Sequence, residues 1–246
     1  MIDNQGMLSV IMPAYNEEEN IYNNLLETAK TLAGFTNNFE IIPVNDGSQD
    51  QTKGEIKRAM QQCPMIHGVS YGKNGGKGKA IRIGVENAQG EYIAFLDSDL
   101  DLHPRQLKAF LEVLVNDEAD AVIGSKMHRD SKVDYPFMRK VISYGYYLIL
   151  KILFRLNTKD TQTGIKMFKK SVIKPIIPLV KTQGFAYDIE ILIAVKKRNY
   201  RIKEMPVELV FTRNKGFGRI SFKDILKVFG DTWKIFYGFY FKHDYD

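Results

Sequence analysis

The chain has 246 residues, of which 44% are hydrophobic and 26% are charged, so it is long enough to bury a substantial globular core. Its single cysteine, Cys63, excludes an internal disulfide, and the N-terminus lacks the pattern of a signal peptide, so we expect a cytoplasmic protein. No apolar stretch reaches the roughly 18 to 20 residues that cross a bilayer, and the formal charge of +6 suits an anionic partner such as a nucleotide, a phosphate or an anionic lipid surface.

Short β-type runs alternate with helical patterns through about residue 125. The runs are apolar on nearly every residue, as expected for strands of a parallel sheet that is covered on both faces. Apolar residues recur at helical spacing in two of the gaps, and Pro104 favours a helix start in a third. The order predicts an α/β fold with a Rossmann-like, mainly parallel sheet flanked by helices. The predicted strands are residues 8–13, 39–44, 66–71, 92–96 and 119–124.

Polar segments follow the first four predicted strands. Ligands of open α/β sheets gather outside the carboxyl ends of the strands, so four such segments favour one site over four unrelated turns. The segments are residues 14–17, 45–48, 73–79 and 97–101.

The second half of the chain shows no linker and no internal repeat. A long aromatic and basic stretch at 135–156 is followed by a turn-like run at 160–168, a helical pattern at 188–198 and a β-like run at 202–211. The tail, 222–241, carries aromatic residues at helical spacing with lysines between them. Two interpretations stay open for the tail and for 141–156: a helix packed on the core, or an amphipathic helix that lies on a membrane.

The most informative motif is Asp97-Ser98-Asp99, directly after the fourth predicted strand. Two carboxylates one residue apart can reach the same hard divalent cation, which prefers oxygen ligands and shares them with phosphates. The expected ligand is a nucleotide diphosphate. A plain polar loop is the alternative, because Asp is a common turn residue.

Several motifs in this order resemble the family 2 inverting glycosyltransferases of GT-A fold. Motifs of the second half resemble the polyprenyl-phosphate branch of that family, which includes the dolichyl-phosphate β-glucosyl- and mannosyltransferases. In this sequence Lys126 stands where the branch usually carries Arg, and the transmembrane helices of many members are missing. The motifs are PAYNEE at 13–18, VNDGS at 44–48, NGGKG at 74–78, DSD at 97–99, GSK at 124–126, DTQTG at 160–164 and FAYDIE at 185–190.

The resemblance divides a single domain, 1–246, into a nucleotide-sugar-binding half at 7–125, an acceptor-side half at 126–221 and an amphipathic tail at 222–246. It implies that Asp46 accepts a hydrogen bond from the base, and that Asp160 and Gln162 contact the donor sugar. A cap is an equal interpretation for Asp160. Glu17 is also compatible with a charge that stabilises a helix N-terminus, and both roles can hold together. The implied donor contacts are Pro13, Tyr15, Glu17, Val44, Asp46, Lys77, Asp97 and Ser98.

The implied catalytic residues are Asp99, Asp188 and Arg139. Mg²⁺ or Mn²⁺ held by Asp97, Asp99 and Asp101 neutralises charge on the leaving diphosphate. A phosphate acceptor with a second pKa of about 6 needs no base, so Asp188 is either a base for a hydroxyl acceptor or an orienting group. Candidate phosphate-binding residues, each of which also fits a solvated basic face, are Lys126, Arg129, Arg139 and Lys140, with Ser143 one helical turn beyond Arg139.

These observations favour metal-dependent transfer of a hexose from a UDP- or GDP-linked sugar, with UDP-glucose favoured, to a polyprenyl phosphate. The enzyme would work in the cytoplasm or at the inner face of the cell membrane, with no nucleic-acid partner. One alternative is a soluble family 2 enzyme that glycosylates a saccharide, glycolipid or protein hydroxyl. Another is a non-catalytic nucleotide-binding subunit. The spacing of 74–79 does not fit a P-loop, which excludes an ATPase of that type.

Overall fold

The structure, a computed structural model, describes residues 6–133, 137–184, 186–209, 222–242 and 245, with the backbone alone for 137–143, 222–227 and 229. Its centre is a seven-stranded sheet in the order β3-β2-β1-β4-β6-β5-β7. The strands are β1 (Leu8–Ala14), β2 (Phe39–Asp46), β3 (Val69–Tyr71), β4 (Tyr92–Phe95), β5 (Ala121–Ser125), β6 (Lys166–Lys169) and β7 (Ile202–Pro206).

Every pairing in this sheet is parallel except the two made by β6, which runs antiparallel between β4 and β5. The prediction of a mainly parallel sheet is confirmed. The prediction of a turn-like run at 160–168 is wrong for its last three residues, because Lys166 begins β6. The third strand is also shorter than predicted, since Ile66 makes only an isolated bridge to Ile41. The end of the β-like run, 210–211, lies outside the described residues.

Helices cover both faces of the sheet. α1, α2 and α4 pack on one face through residues such as Leu25, Ile56 and Phe110. α3, α5, α6 and α7 pack on the other through residues such as Ile81 and Leu192. The helices are α1 (Ile21–Ala33), α2 (Thr52–Gln62), α3 (Lys77–Asn87), α4 (Leu107–Val115), α5 (Phe137–Phe154), α6 (Lys170–Ile176), α7 (Tyr187–Lys197) and α8 (Phe222–Tyr237), with a π-helical turn at Gly238–Lys242.

The two long helices of the second half lie against each other. The hydroxyls of Tyr146 on α5 and Thr232 on α8 are 2.7 Å apart, and the rings of Phe154 and Phe236 meet edge to face. Pro104 opens a 3₁₀ turn that leads into α4, as the sequence predicts. No helix in the described part of the chain is both long enough and apolar enough to cross a bilayer.

Candidate active site

A cluster of carboxylates follows β4, on the loop that carries Asp97, Asp99 and Asp101. The loop is tied to α1 because the Asn24 side chain donates a 2.7 Å hydrogen bond to the Ser98 carbonyl. Asp99 is half-buried. Burial, together with the charges of Asp97 and Asp101, raises the pKa of Asp99 to about 6. The loop therefore holds negative charge that a bound cation would relieve.

The donor set of this loop suits a hard divalent cation, since carboxylate oxygens are its preferred protein ligands. In the described residues, however, no group of three His, Cys, Asp or Glu side chains is arranged to hold a metal. A pair of carboxylates such as Asp97 and Asp99 fits Mg²⁺-type binding. In such sites one or two carboxylates hold the cation, and substrate phosphates and waters complete its coordination. Burial and the neighbouring charges of Asp97 and Asp101 both raise the pKa of Asp99, and a bound cation would offset both.

Lys77 supplies positive charge beside the same loop. It opens α3, and its ammonium forms an ion pair with the Asp97 carboxylate. Burial lowers the proton affinity of this lysine, but the charges of Asp97 and Asp188 outweigh burial and raise the pKa of Lys77. The preceding Gly76 has φ +86°, and a side chain there would meet the Gln183 carbonyl, so glycine is required at this turn.

Asp46, at the end of β2, holds the glycine-rich loop in place. One carboxylate oxygen accepts hydrogen bonds from the Tyr71 hydroxyl (2.7 Å) and the Gly75 amide (2.6 Å). The other accepts from the Asn74 side chain (3.1 Å) and the Gly76 amide (2.9 Å). A carboxylate offers about four lone-pair sites, so a nucleotide base that contacts Asp46 would replace one of these donors.

The segment after β1 is fixed by residues that follow β2. The Asn16 amide donates to the Ser48 hydroxyl (3.0 Å), and the Glu17 amide donates to the Thr52 hydroxyl (2.7 Å). Tyr15 is exposed beside this segment. Pro13 pairs in register with Val44, whose side chain is completely buried in the core, so any ligand contact from Val44 would use its backbone.

Asp188, in the first turn of α7, forms an ion pair that the sequence does not reveal. The Lys166 ammonium donates to one Asp188 oxygen (2.5 Å) and to the Thr163 carbonyl (2.6 Å). Both side chains are almost completely buried, with 1% and 6% of their surface exposed. Burial lowers the pKa of Lys166, and the Asp188 charge opposes that shift. The only local signal for this residue is a lysine inside the apolar run from Ile165 to Phe168.

The segment 160–164 passes close to the carboxylate loop. A side chain at Gly164 would clash with the Asp97 carboxylate, which shows how near the two segments lie. Asp160 is buried and accepts a 2.9 Å hydrogen bond from the Lys126 amide, so it acts as a cap for the turn after β5. Gln162 is exposed on the same segment.

Where the side chains of the predicted phosphate-binding residues are described, they do not converge on one site. Arg129 is largely exposed and pairs with Asp130, whereas the Lys126 ammonium lies 3.8 Å from Asp160. Arg139 and Ser143 lie on α5, but their side chains fall outside the described residues, as does that of Lys140.

The model of the family described as Glycosyl transferase family 2 matches residues 9–177. Dolichyl-phosphate beta-glucosyltransferase ALG5D of Trichomonas vaginalis is 32% identical over 218 residues, which cover 83% of this chain and 66% of that protein. The dolichyl-phosphate beta-glucosyltransferase of Saccharomyces cerevisiae is 28% identical over 227 residues, covering 83% of this chain and 67% of that protein.

Glycosyltransferase AglD of Haloferax volcanii is 30% identical over 203 residues, which cover 82% of this chain. The chain thus spans between 32% and 67% of the length of these three relatives. Among solved structures, glucosyl-3-phosphoglycerate synthase from Mycobacterium tuberculosis in complex with Mn²⁺, UDP-glucose and phosphoglyceric acid superposes with a TM-score of 0.69 at 18% identity. The match covers 94% of this chain and 80% of that one, and it supports the predicted GT-A fold.

Proposed function

The chain belongs to glycosyl transferase family 2, and we propose that it transfers a hexose with inversion from a nucleotide sugar, with UDP-glucose favoured, to a polyprenyl phosphate. Two relatives similar over most of this chain are named dolichyl-phosphate beta-glucosyltransferases, which supports both the sugar and the acceptor class. The reaction would take place at the cytoplasmic face of a membrane.

On the donor side, the proposal assigns the carboxylates after β4 to a Mg²⁺ or Mn²⁺ ion, with Asp97 and Asp99 as its protein ligands and Asp101 beside them. When bound, such a cation supplies Lewis-acid charge that stabilises the leaving diphosphate. Lys77 adds a second positive charge at the same place and, once Asp97 turns to the cation, is free to bind a phosphate oxygen. Asp46 binds the base, in exchange for one donor of the glycine-rich loop.

The observation that carries the lipid acceptor is an exposed aromatic and aliphatic surface on α5 and α8, which we call the lipid-facing surface. Large contiguous apolar patches on soluble proteins mark interaction or membrane sites, and within this surface the rings of Tyr237 and Phe241 stack on each other. On α5, the side chain of Ile152 is 78% exposed and that of Tyr144 is 53% exposed. The corresponding members on α8 and the π-helical turn are Trp233 (65%), Tyr237 (53%) and Phe241 (64%).

The lipid-facing surface has the composition of an interfacial helix pair. Exposed lysines lie on the same helices: Lys242 is near the Tyr237 ring of this surface, and Lys151 on α5 is near the ring of the buried Tyr147. Aromatic side chains favour the headgroup depth of a bilayer, and lysines favour its anionic surface. A surface of this kind would hold the enzyme where a polyprenyl phosphate presents its headgroup.

The proposal is tested by transfer of radiolabelled glucose from UDP-glucose to a short-chain polyprenyl phosphate in detergent, with and without Mn²⁺. Sedimentation with anionic vesicles tests the membrane part separately. Trp233→Ala should weaken vesicle binding, whereas Met65→Ala, which removes an exposed apolar side chain far along the chain from the lipid-facing surface, should not. Equal binding of both variants would contradict the membrane assignment.

A further inference from the structure

We propose that Lys166 is a positioning residue that restricts this enzyme to acceptors that arrive already ionised. The inference rests on the proposed function, since it explains how the same site would select a phosphate over a hydroxyl. Its structural basis is the buried ion pair between Lys166 and Asp188, which no motif of the sequence indicates.

The pair is built into the sheet. Lys166 lies opposite Ile123 of β5 and Phe95 of β4, so its backbone is fixed by strands on both sides. Its ammonium reaches Asp188 at 2.5 Å and is braced by the Thr163 carbonyl at 2.6 Å. A buried ammonium without a partner is costly. The ion pair therefore fixes the position of both side chains.

Other charged and titratable groups also face Asp188. Lys77 on α3 interacts with it electrostatically, and the adjacent Tyr187 phenol hydrogen-bonds to it. Asp97 forms an ion pair with the same Lys77. One Asp188 oxygen is thus occupied by an ammonium hydrogen, and the carboxylate as a whole lies between two lysines.

This arrangement decides which acceptors can react. In either reaction the bond from the anomeric carbon to the diphosphate oxygen breaks, its electron pair leaves with the diphosphate, and an acceptor oxygen forms the new bond. A hydroxyl acceptor must also lose a proton to a base, whereas a phosphate dianion has none to lose. Since Lys166 already donates to Asp188, we infer that this carboxylate is a poor acceptor for that proton, while its charge stays fixed beside Lys77.

The test compares two acceptors in the full chain: a short-chain polyprenyl phosphate and methyl β-glucoside. For Lys166→Met we expect the ratio of kcat/KM for the phosphate to that for the glucoside to fall roughly tenfold or more, because a small displacement of a positioning group costs up to about 10²-fold. Release of glucose to water should rise in the same variant. Lys166→Arg, which keeps the charge, should restore part of the ratio.

Lys169→Met is the matched control. It removes a lysine from the same strand, where that lysine pairs with Asp120 away from the carboxylate loop, and it should leave the acceptor ratio unchanged. A double-mutant cycle adds a second measurement: in an Asp188→Asn background, Lys166→Met should change the ratio no further, because Lys166 acts through Asp188.

The outcomes separate the two proposals. If Lys166→Met and Lys166→Arg lower the melting temperature but leave the acceptor ratio at the wild-type value, Lys166 is only a structural ion pair and the inference is wrong. If the wild-type enzyme transfers glucose to the glucoside and not to the polyprenyl phosphate, the proposed function itself fails, whatever the variants do.

Discussion

Replacing Asp99 by Asn should make the metal-free protein more stable at neutral pH. The carboxylate is half-buried beside Asp97 and Asp101, and its ionised form is disfavoured there, as the rise of its pKa from 3.8 to about 6 indicates. Asparagine has nearly the same volume and carries no charge. The substitution therefore removes both the cost of burying the charge and the like-charge repulsion, without creating a cavity.

The expected size follows from the pKa. A rise of roughly two units corresponds to at most ~3 kcal/mol at about 1.4 kcal/mol per unit. The ionisation of Asp99 depends on the charges of Asp97 and Asp101, and water partly screens them, so we expect ~1–2 kcal/mol. For a chain of this length each kcal/mol moves the melting temperature by about 2–4 °C, which gives a rise of ~2–8 °C for Asp99→Asn.

The size of this gain also depends on pH. The folded protein holds the Asp99 proton up to about pH 6, whereas the unfolded chain loses it near 3.8, so the stability penalty grows as pH rises through this window and is complete above it. Thermal melts of the metal-free protein at pH 7.5 and pH 4.5 should therefore show a larger gain at pH 7.5. A gain that is absent at pH 7.5, or as large at pH 4.5, would refute this account of the carboxylate loop.

Asp120→Asn is the control with the opposite sign. Hydrogen bonds from Arg201 hold the pKa of Asp120 well below its usual range, so its charge is favourable and its loss should lower the melting temperature. Added Mn²⁺ with UDP should raise the melting temperature of the wild type, because a ligand that binds only the folded state stabilises it. The same addition should leave Asp99→Asn nearly unchanged.

Three further predictions concern ligand contacts. Asp46→Ala should weaken binding of a free nucleoside as much as binding of the nucleotide sugar, measured by calorimetry, and a loss confined to the diphosphate would assign Asp46 to the metal region instead. Trp233→Ala and Phe241→Ala should each weaken sedimentation with anionic vesicles about fivefold, since an interfacial aromatic contributes on the order of 1 kcal/mol; unchanged binding would leave these side chains without a membrane role. Arg139→Ala should raise the KM for polyprenyl phosphate in steady-state kinetics while changing the KM for UDP-glucose little, and the reverse pattern would remove it from the acceptor side.

Much of the fold was predictable because buried parallel strands appear as continuous apolar runs. The first, second and fourth strands, such as β2 at Phe39–Asp46, follow such runs closely. β6 was missed because it has four residues, two of them lysines, and its apolar run alone does not distinguish a strand from a loop. Its pairing is decided by β4 and β5, which are distant in sequence.

The residues of the site were predictable to the extent that strand ends define them. Asp46 and the carboxylate loop lie at the same edge of the sheet because parallel strands end there together. The family and the fold are confirmed, while the transferase activity is a proposal and the roles of the individual site residues stay predictions. Local sequence patterns did not reveal contacts between distant segments. The main examples are the ion pair of Lys166 with Asp188 and the hydrogen bonds from the glycine-rich loop to Asp46.

The most direct test of the central claim is the product formed from radiolabelled UDP-glucose when a polyprenyl phosphate and a simple glycoside compete in one assay. We predict labelled lipid phosphate as the main product, formed only with Mg²⁺ or Mn²⁺. We also predict that Asp188→Asn slows its formation by less than the 10²- to 10⁴-fold typical of losing a general base. Label on the glycoside alone, together with an inactive Asp188→Asn variant, would contradict the account.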